Sequence, residues 1–446
     1  QISHRGPDGK EELYFGNNSY FGHVRLSIID KENSRQPMVS ECGRYILVFN
    51  GEIYNYLELR QDLIRSGIKF KSCGDTEVLM KLLIKMGRKS LSLLNGMFSF
   101  VFFDKLNDCW LAVRDHFGIK PLYYYKFQNG DIIFSSEIKA FFNLPEIKSE
   151  CNIDSLYDYL QFQFTLDDQT LFKGIKKVNP AFSLEGRINS KKISQERWWN
   201  INYNIDTFHK EEWFIDRLSF LLHDSIKLQT RSDVALGCYL SGGIDSSLIS
   251  SLSSSYLKTT LPCFHGKFCD YPGYDESQYA YEISNDLNLE LFEIEPTPEE
   301  FIQLLPSIIR CLDEPLAGPG VFPQYMVSKE ASKHVKVILG GQGGDELFCG
   351  YARYLIAYLE QALKGVIEET QEEGKYLVTL ETLITSLPSL KNYLPLIKKF
   401  TSEGIFDSMN KRYLHMISRN KISNQIFGEE FILNYDFQKQ FEKFNY

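Results

Sequence analysis

Features that would point to membranes, nucleic acids or disulfide bonds are missing from this chain. Its 446 residues contain no uninterrupted apolar run that approaches the length of a membrane span. The formal net charge is −9 at pH 7, so overall charge does not support a partner with a phosphate backbone. The nine cysteines show no Cys-x-x-Cys spacing and stand mostly beside apolar residues, as reduced cysteines do. We therefore expect a cytoplasmic protein that binds neither membranes nor nucleic acid.

Two common phosphate-binding motifs are also missing. No Gly-rich turn ends in the Gly-Lys-Ser/Thr of a P-loop, and the GxGxxG spacing of dinucleotide-binding folds does not occur. The chain has no internal repeat and no low-complexity tract. Its length exceeds what one hydrophobic core usually supports, so we expect two domains.

Two patterns of secondary structure divide the chain. The first half contains short β-branched and aromatic runs typical of strands, with amphipathic helical stretches between them, at residues 45–49, 98–103, 110–113, 122–125 and 132–134. A polar stretch at residues 191–206 then precedes a new helical pattern. The second half alternates strand-like and helical runs, which is typical of a parallel, doubly wound α/β sheet. We predict a mixed α and β domain over residues 1–190 and an α/β domain over residues 207–446.

A Gly-rich turn after an apolar strand gives the strongest chemical signal. In this first Gly-rich turn, residues 241–247, the sequence Ser-Gly-Gly-Ile-Asp-Ser-Ser opens a predicted helix. Glycines let backbone N–H groups approach an anion, and the helix N-terminus adds partial positive charge. The pattern therefore predicts a pyrophosphate cradle. The alternative is an ordinary turn with a Ser cap and an Asp in the first helical turn, which leaves the full seven-residue pattern unexplained.

A second Gly-rich turn, residues 340–346, also follows an apolar strand and precedes a helical run. In a doubly wound sheet both turns open at the same carboxyl edge. Asp245 and Asp345 would then share a Mg²⁺ that neutralises a triphosphate. For either residue alone, capping of a helix N-terminus is an equally good explanation, whereas the pair favours the metal.

An Asn-Gly dipeptide follows the predicted strand at residues 45–49. The Asn50 amide and the Gly51 backbone N–H could together bind a developing oxyanion at the end of that strand. Asn-Gly is also the commonest hairpin dipeptide, so the pair taken alone favours a simple turn.

Further runs in the first half resemble class II glutamine amidotransferase domains, at residues 4–8, 22–30, 36–38, 74–78, 94–98, 114–123 and 136–140. The first Gly-rich turn resembles the pyrophosphate loop of the N-type ATP pyrophosphatases. Together these runs resemble the glutamine-hydrolysing asparagine synthetase family over nearly the whole chain. The resemblance implies an α+β N-terminal Ntn-hydrolase-type sandwich. It also implies an α/β doubly wound parallel-sheet ATP pyrophosphatase domain, like the adenine nucleotide α-hydrolases.

The same resemblance implies roles for individual residues. It assigns Arg25 to the α-carboxylate of glutamine and Asp75 to its α-ammonium, although a surface ion pair and a helix N-cap remain the respective alternatives. It assigns Asn50 and Gly51 to the oxyanion, with Ile29 and Glu52 lining the pocket. Around ATP it places the first Gly-rich turn and the neighbouring residues, namely Tyr239, Leu240, Ser241, Gly242, Gly243, Asp245, Ser246, Ser247, Gly266, Gly340 and Gly341.

The implied reaction has two halves. Glutamine is hydrolysed to glutamate and ammonia, and ATP converts an acceptor carboxylate into an acyl-AMP with release of pyrophosphate, which ammonia then turns into an amide. Aspartate is the default acceptor, and a different carboxylate from polysaccharide or secondary-metabolite biosynthesis is the alternative. A non-catalytic nucleotide-binding regulatory protein is the alternative from another class, and a homodimer remains open.

The chain departs from the family pattern at several points. Family members use a cysteine as the first residue of the mature chain, and no cysteine here fills that position. Cys42, the first in the sequence, lies too far along the chain. We therefore expect the nucleophilic cysteine, and a C-terminal stretch after Tyr446, to lie outside these residues. Gly340 stands where many relatives have serine, and Gln342 where several have glutamate.

Overall fold

The computed structural model describes residues 1–16, 19–206, 208–257, 259–269, 275–315, 318, 320–368, 383–384 and 387–419. Its strands are β1 (Gly9–Phe15), β2 (Ser19–Arg25), β3 (Met38–Val39), β4 (Tyr45–Ile53), β5 (Gly96–Asp104), β6 (Cys109–Arg114), β7 (Tyr123–Lys126), β8 (Ile132–Ser135), β9 (Ile175–Lys177), β10 (Phe182–Arg187), β11 (Ile193–Arg197), β12 (Leu236–Tyr239), β13 (Pro262–Gly266), β14 (Glu290–Ile294) and β15 (Val337–Leu339).

The α-helices are α1 (Tyr56–Arg65), α2 (Asp75–Met86), α3 (Ile153–Phe162), α4 (Glu211–Gln229), α5 (Ile244–Tyr256), α6 (Ser277–Asp286), α7 (Pro298–Leu312), α8 (Val321–Ala331), α9 (Gly344–Phe348), α10 (Ala352–Ile367), α11 (Leu394–Thr401) and α12 (Met409–Ile417). Short 3₁₀ helices cover Ser3–Arg5, Gly87–Leu93, Ile138–Asn143 and Leu387–Tyr393. Within the described ranges, no helix is both long enough and apolar enough to cross a membrane.

A six-stranded antiparallel sheet organises the first half, in the order β11-β10-β6-β5-β4-β3. Because side chains alternate along a strand, β4 packs different residues on its two faces. Leu47 and Phe49 join the cluster under α1 and α2, whereas Ile46 joins Phe103 and Trp110 on the opposite face. That opposite face also contacts the hairpin β1–β2 and the three-stranded sheet β8-β7-β9. The first half is therefore the layered α+β sandwich that the sequence predicts.

The Asn-Gly dipeptide lies inside a strand, so the prediction that it stands at a strand end or in a hairpin turn was wrong. Strand β4 continues to Ile53, and Asn50 and Gly51 pair with Ser99 and Phe98 of β5. Gly51 has φ +150°, and a Cβ there would lie 2.1 Å from the Met97 carbonyl oxygen. Glycine is needed because the two strand backbones approach closely, and not because the chain reverses.

A four-stranded parallel sheet organises the second half, in the order β14-β13-β12-β15. The first strand of this sheet in chain order, β12, lies between β13 and β15, so the connections run in opposite directions on its two sides. Ligands of doubly wound sheets bind at the carboxyl ends of the strands at such a switch point. The two Gly-rich turns follow neighbouring strands at this switch point, one after β12 and the other after β15. The predicted α/β architecture is confirmed, and the fold brings the two turns to one edge.

Hydrogen bonds join the two halves beside a loop of the first half. The Asp30 backbone N–H donates to the Asp233 carboxylate at 2.8 Å, and the Asp233 backbone N–H donates to the Ile28 carbonyl at 3.1 Å. Arg231 forms a bidentate pair with Glu58, with both N to O distances at 2.6 Å. The second half therefore holds the loop at residues 28–30, of which Ile28 and Ile29 line a cavity of the first half.

Candidate functional site

A cavity of about 280 Å³ lies between the ends of β2 and β4 and the start of α2. All six residues that the sequence assigns to a glutamine site contribute to its wall, namely Arg25, Ile29, Asn50, Gly51, Glu52 and Asp75. They come from two strands, one loop and one helix, so the fold brings together residues up to 50 positions apart in the sequence. This grouping supports one shared site, and the role of each residue remains a proposal.

The Arg25 guanidinium at the end of β2 organises the loop that follows. It donates to the carbonyl oxygens of Lys31 and Asp30, both at 2.7 Å, and of Ile29 at 3.3 Å. Among the described residues no carboxylate lies within 4.0 Å of it, so the structure shows no surface ion pair here. Arg25 brings positive charge to the cavity wall while it fixes the shape of that wall.

Two carboxylates are buried in the same wall. Glu52 is 5% exposed and Asp75 is 4% exposed. Burial and the neighbouring Asp75 carboxylate raise the pKa of Glu52 to about 7. Burial also raises the pKa of Asp75 to about 6, although the Ile53 N–H donates to its carboxylate at 3.0 Å. The N-cap of α2 is Gly74 and Asp75 is the first residue of the helix, so Asp75 is not the N-cap residue.

Among the described residues, three residues of this wall each have a buried polar atom without a hydrogen-bond partner. The atoms are Nδ2 of Asn50, which is a donor, Oε1 of Glu52, which is an acceptor, and the hydroxyl oxygen of Ser34, which can be either. Leaving such atoms unsatisfied costs about 1–3 kcal/mol each, so native proteins rarely do so without a bound partner. A polar ligand with both an acceptor and a donor would satisfy them.

The cavity wall also contains residues that the sequence analysis did not single out. Arg5, His23 and Lys120 line it, and all three fall within motif runs of the first half. Within the part of the chain that the structure describes, the wall contains no cysteine. Ile2 reaches the cavity as well, so the beginning of this chain lies beside the site.

The first Gly-rich turn connects β12 to the N-terminus of α5. The Ser246 hydroxyl accepts from the Ser241 N–H at 3.1 Å, and the Gly243 N–H donates to the Ser241 hydroxyl at 3.2 Å. The N-cap of α5 is Gly243 and has no side-chain cap. The first N–H groups of a helix lack intrahelical acceptors, so those of α5 remain suited to an anion.

The second Gly-rich turn lies directly against the first. A Cβ on Gly341 would be 2.7 Å from the Asp245 Cβ, and a Cβ on Gly344 would be 2.6 Å from the Asp245 carboxylate. Asp345 follows Gly344 in the chain and lies in the first turn of α9, whose N-cap is Gly343. Neither aspartate is an N-cap, so the capping explanation does not apply to either.

The remaining predicted nucleotide residues lie around the same edge. The Tyr239 hydroxyl contacts Ser328 at 2.8 Å, and its ring lies 3.2 Å from where a Cβ of Gly340 would be. Leu240 is buried and donates its N–H to the Phe264 carbonyl, while Gly266 ends β13. Gln342 donates its side-chain amide to Gln324 at 3.1 Å. The fold thus collects these residues at the switch point, although their contact with ATP remains a proposal.

Comparison with known proteins agrees with this two-part arrangement. The glutamine amidotransferase domain family matches residues 1–199, and the asparagine synthase family matches residues 217–416. The chain is 38% identical over 354 residues to asparagine synthetase [glutamine-hydrolyzing] 1 of Bacillus subtilis, a match that covers 79% of this chain and 55% of the relative. It is 33% identical over 378 residues to putative asparagine synthetase [glutamine-hydrolyzing] 2 of Methanocaldococcus jannaschii, covering 80% and 72% respectively.

A third relative has a different name. The chain is 30% identical over 370 residues to amidase chry2 of Gibberella zeae, with 78% of this chain and 54% of the relative covered. Matches to the Bacillus and Gibberella proteins therefore span little more than half the length of those relatives. Both domain families match in order, and one relative that is 33% identical is covered over 72% of its length. The chain therefore belongs to the glutamine-hydrolysing asparagine synthetase family.

Proposed function

We propose that this chain carries both catalytic domains of a glutamine-dependent amidotransferase that hydrolyses glutamine and converts an acceptor carboxylate into an amide through an acyl-AMP. The observation that carries the proposal is the polar cavity of the first half. Its wall contains Asn50 and Glu52, each with a buried polar atom that has no partner among the described residues, together with cationic and anionic side chains. Glutamine has a carboxylate, an ammonium and a carboxamide, so it offers a partner to the cationic, the anionic and the amide side chains of this wall.

In the glutamine site each residue type suits its proposed partner. The Arg25 guanidinium binds the α-carboxylate, and the Asp75 and Glu52 carboxylates hold the α-ammonium. The Asn50 amide and the Gly51 N–H stabilise the oxyanion that forms when the carboxamide is attacked. The family resemblance implies that the attacking nucleophile is the cysteine at the first position of the mature chain. All nine cysteines of this chain are free thiols, which favours a reducing compartment such as the cytoplasm.

In the second half the two Gly-rich turns form the proposed ATP site. The N-terminus of α5 and the hydroxyls of the first turn suit the β and γ phosphates, which leave as pyrophosphate. Asp245 and Asp345 would hold Mg²⁺, because both are carboxylates, the oxygen ligands that this ion prefers, and the Asp245 carboxylate lies against Gly344, next to Asp345 in the chain. The ion would neutralise phosphate charge during adenylation.

The first prediction concerns the products of ATP. With saturating ammonia and aspartate, we expect the full-length protein to convert ATP into AMP and pyrophosphate, because the first Gly-rich turn lacks the lysine of a P-loop. Chromatography of the spent nucleotide and an assay for pyrophosphate measure this directly. ADP as the main product would refute the proposal.

The same experiment identifies the acceptor. We propose aspartate, and pyrophosphate release that depends on aspartate supports it. Release that depends on another carboxylate would favour the alternative acceptor, which the amidase name of one relative makes worth testing. No release with any acceptor, together with intact ATP binding, would favour the non-catalytic alternative.

The second prediction separates the two half-reactions. We expect Arg25→Ala to raise the KM for glutamine about tenfold or more while ammonia-dependent synthesis changes less than about twofold, because the guanidinium would bind the substrate carboxylate only in the first half. Arg44→Ala is the matched control, since it removes the 2.6 Å ion pair of Arg44 with Asp104 and Arg44 does not line the cavity. Equal losses of both activities in Arg25→Ala would contradict the assignment.

A further inference from the structure

The loop after β6 is held rigidly by its first two residues. Asp115 is buried, and its carboxylate accepts from the backbone N–H groups of Phe98, Phe117, Ile119 and Lys120 at 2.9–3.1 Å. The Arg114 guanidinium donates to the carbonyl oxygens of Gly118, Lys120 and Val178 at 2.6–2.8 Å. Seven hydrogen bonds to backbone groups leave this short loop little freedom, so the position of the Lys120 backbone is well defined.

This loop places Lys120 beside the strands that carry the proposed oxyanion and ammonium groups. The Ser99 hydroxyl donates to the Pro121 carbonyl at 3.1 Å, and Ser99 is the β5 partner of Asn50. Lys120 itself lines the cavity. In the part of the chain that the structure describes, no carboxylate lies within the 4.0 Å of a direct ion pair with its ammonium. Burial lowers the pKa of Lys120, and Glu52 is the carboxylate that opposes this effect most, so the charges of the two residues act on each other across the cavity wall.

The other titratable groups of the cavity already have structural roles. Arg5 pairs at 3.1 Å with Glu137, which does not line the cavity. Arg25 donates to three backbone carbonyl oxygens. His23 contacts the Phe49 carbonyl at 3.2 Å, and burial lowers its pKa, which favours the neutral ring. The acids are the two buried carboxylates described above, which repel each other when both are ionised.

We propose that Lys120 is a positioning residue for glutamine, because its ammonium supplies the counter-charge that keeps Glu52 ionised beside Asp75 so that both carboxylates can hold the substrate ammonium. The inference rests on the proposed glutamine site. With Lys120 present, the cations Arg25 and Lys120 balance the two carboxylates, and the cavity accepts a zwitterion without a net change in charge. Without Lys120 one carboxylate takes up a proton and loses its attraction for an ammonium.

The charge effects on Glu52 agree with this role. Burial and Asp75 raise the pKa of Glu52 to about 7, and Lys120 acts in the opposite direction. A raised carboxyl pKa means that the ionised form is lost as pH falls through about 7. Glutamine binding should therefore weaken below about pH 7, and removal of Lys120 should move this loss to higher pH. Asp75 has its own transition near pH 6.

Isothermal titration with L-glutamine between pH 5.5 and 8.5 tests the inference on the chain itself, because binding does not require the nucleophile. We call the loss of glutamine binding at low pH the acid limb of the binding profile. We expect Lys120→Met to weaken binding about tenfold at pH 7.5 and to move the acid limb to a pH about one unit higher. Lys120→Arg should stay within about threefold of the unaltered chain. In a Glu52→Gln background, the limb near pH 7 should disappear and Lys120→Met should add less than about twofold.

Lys177→Met is the matched control, since this half-buried lysine donates to the Thr165 carbonyl at 3.0 Å and does not line the cavity. An unchanged acid limb in Lys120→Met, or a full effect of Lys120→Met in the Glu52→Gln background, would overturn the inference while the glutamine site stands. If the unaltered chain binds no glutamine at any pH, the proposed function fails and the inference fails with it. Thermal unfolding checks each variant, and Lys120→Gln replaces Lys120→Met if the latter does not fold.

Discussion

Replacing Asn50 with alanine should lower the kcat for glutamine hydrolysis about 10²–10³-fold while the unfolding temperature stays unchanged or rises slightly. Loss of one oxyanion donor has an effect of this size on acyl transfer. Stability should not fall, because Nδ2 of Asn50 is buried without a partner and its removal relieves an unsatisfied donor. Steady-state glutaminase assays and thermal unfolding, both on protein that begins with the nucleophilic cysteine, measure the two quantities.

Asn55→Ala is the matched control and should show the opposite pattern. Asn55 donates to the Leu93 carbonyl at 2.9 Å and accepts from the Asn95 N–H at 3.0 Å, so its side chain is satisfied within the fold. It does not line the cavity. We expect this variant to lose about 1–2 kcal/mol of stability and to retain glutaminase activity. If Asn50→Ala loses stability and keeps its activity, Asn50 is a structural residue and the oxyanion assignment is wrong.

The architecture of the second half could be predicted because its signals are local. Apolar strands, Gly-rich turns and helix starts follow one another along the chain, and the rule for doubly wound sheets then places both turns at one edge. The order β14-β13-β12-β15 agrees with that rule. Local patterns also located β4, β5, β6, β7 and β8 to within a few residues, but they missed the other six strands that the structure describes in the first half.

Asn50 and Gly51 show where local reasoning fails. Asn-Gly is a strong hairpin signal on its own, yet here it lies inside β4 because the backbone of β5 approaches Gly51. The residue that demands glycine is Met97, which is 46 positions away in the sequence and cannot be recognised from the dipeptide. The family resemblance assigned the oxyanion role without revealing this geometry.

The electrostatic interactions in the cavity also could not be predicted from the sequence. Glu52 lies on β4, Asp75 on α2 and Lys120 on the loop after β6, so their mutual influence exists only after folding. Burial alone raises a carboxyl pKa, and burial is a property of the assembled layers. The sequence could name Glu52 and Asp75 as candidates, but it gave no reason to connect either with Lys120.

Asp345 stands in a position that capping does not explain. The N-cap of α9 is Gly343, which forms no side-chain cap hydrogen bond, and the Asp345 carboxylate lies against Gly350, where a Cβ would be 2.0 Å from Oδ1. The Asp245 carboxylate contacts Gly344 in the same turn. Two carboxylates beside a triphosphate would repel it strongly, since unit charges 4 Å apart interact by about 4 kcal/mol at an effective dielectric constant of about 20. A divalent cation held between them, as proposed above, would remove this repulsion.

The Asp345→Asn variant should therefore fold normally and lose adenylation. Asparagine keeps the size and hydrogen-bonding shape of the side chain against Gly350 but removes the charge that would hold Mg²⁺. We expect pyrophosphate release with saturating ammonia to fall about 10²-fold or more, while glutaminase activity and the unfolding temperature change little. Glu346→Gln is the matched control, because this adjacent acid accepts from the Tyr351 hydroxyl at 2.8 Å and has no proposed metal role. Pyrophosphate release by Asp345→Asn within a few-fold of the unaltered enzyme would rule out the metal role, since a charge that can be removed without loss does not neutralise the triphosphate.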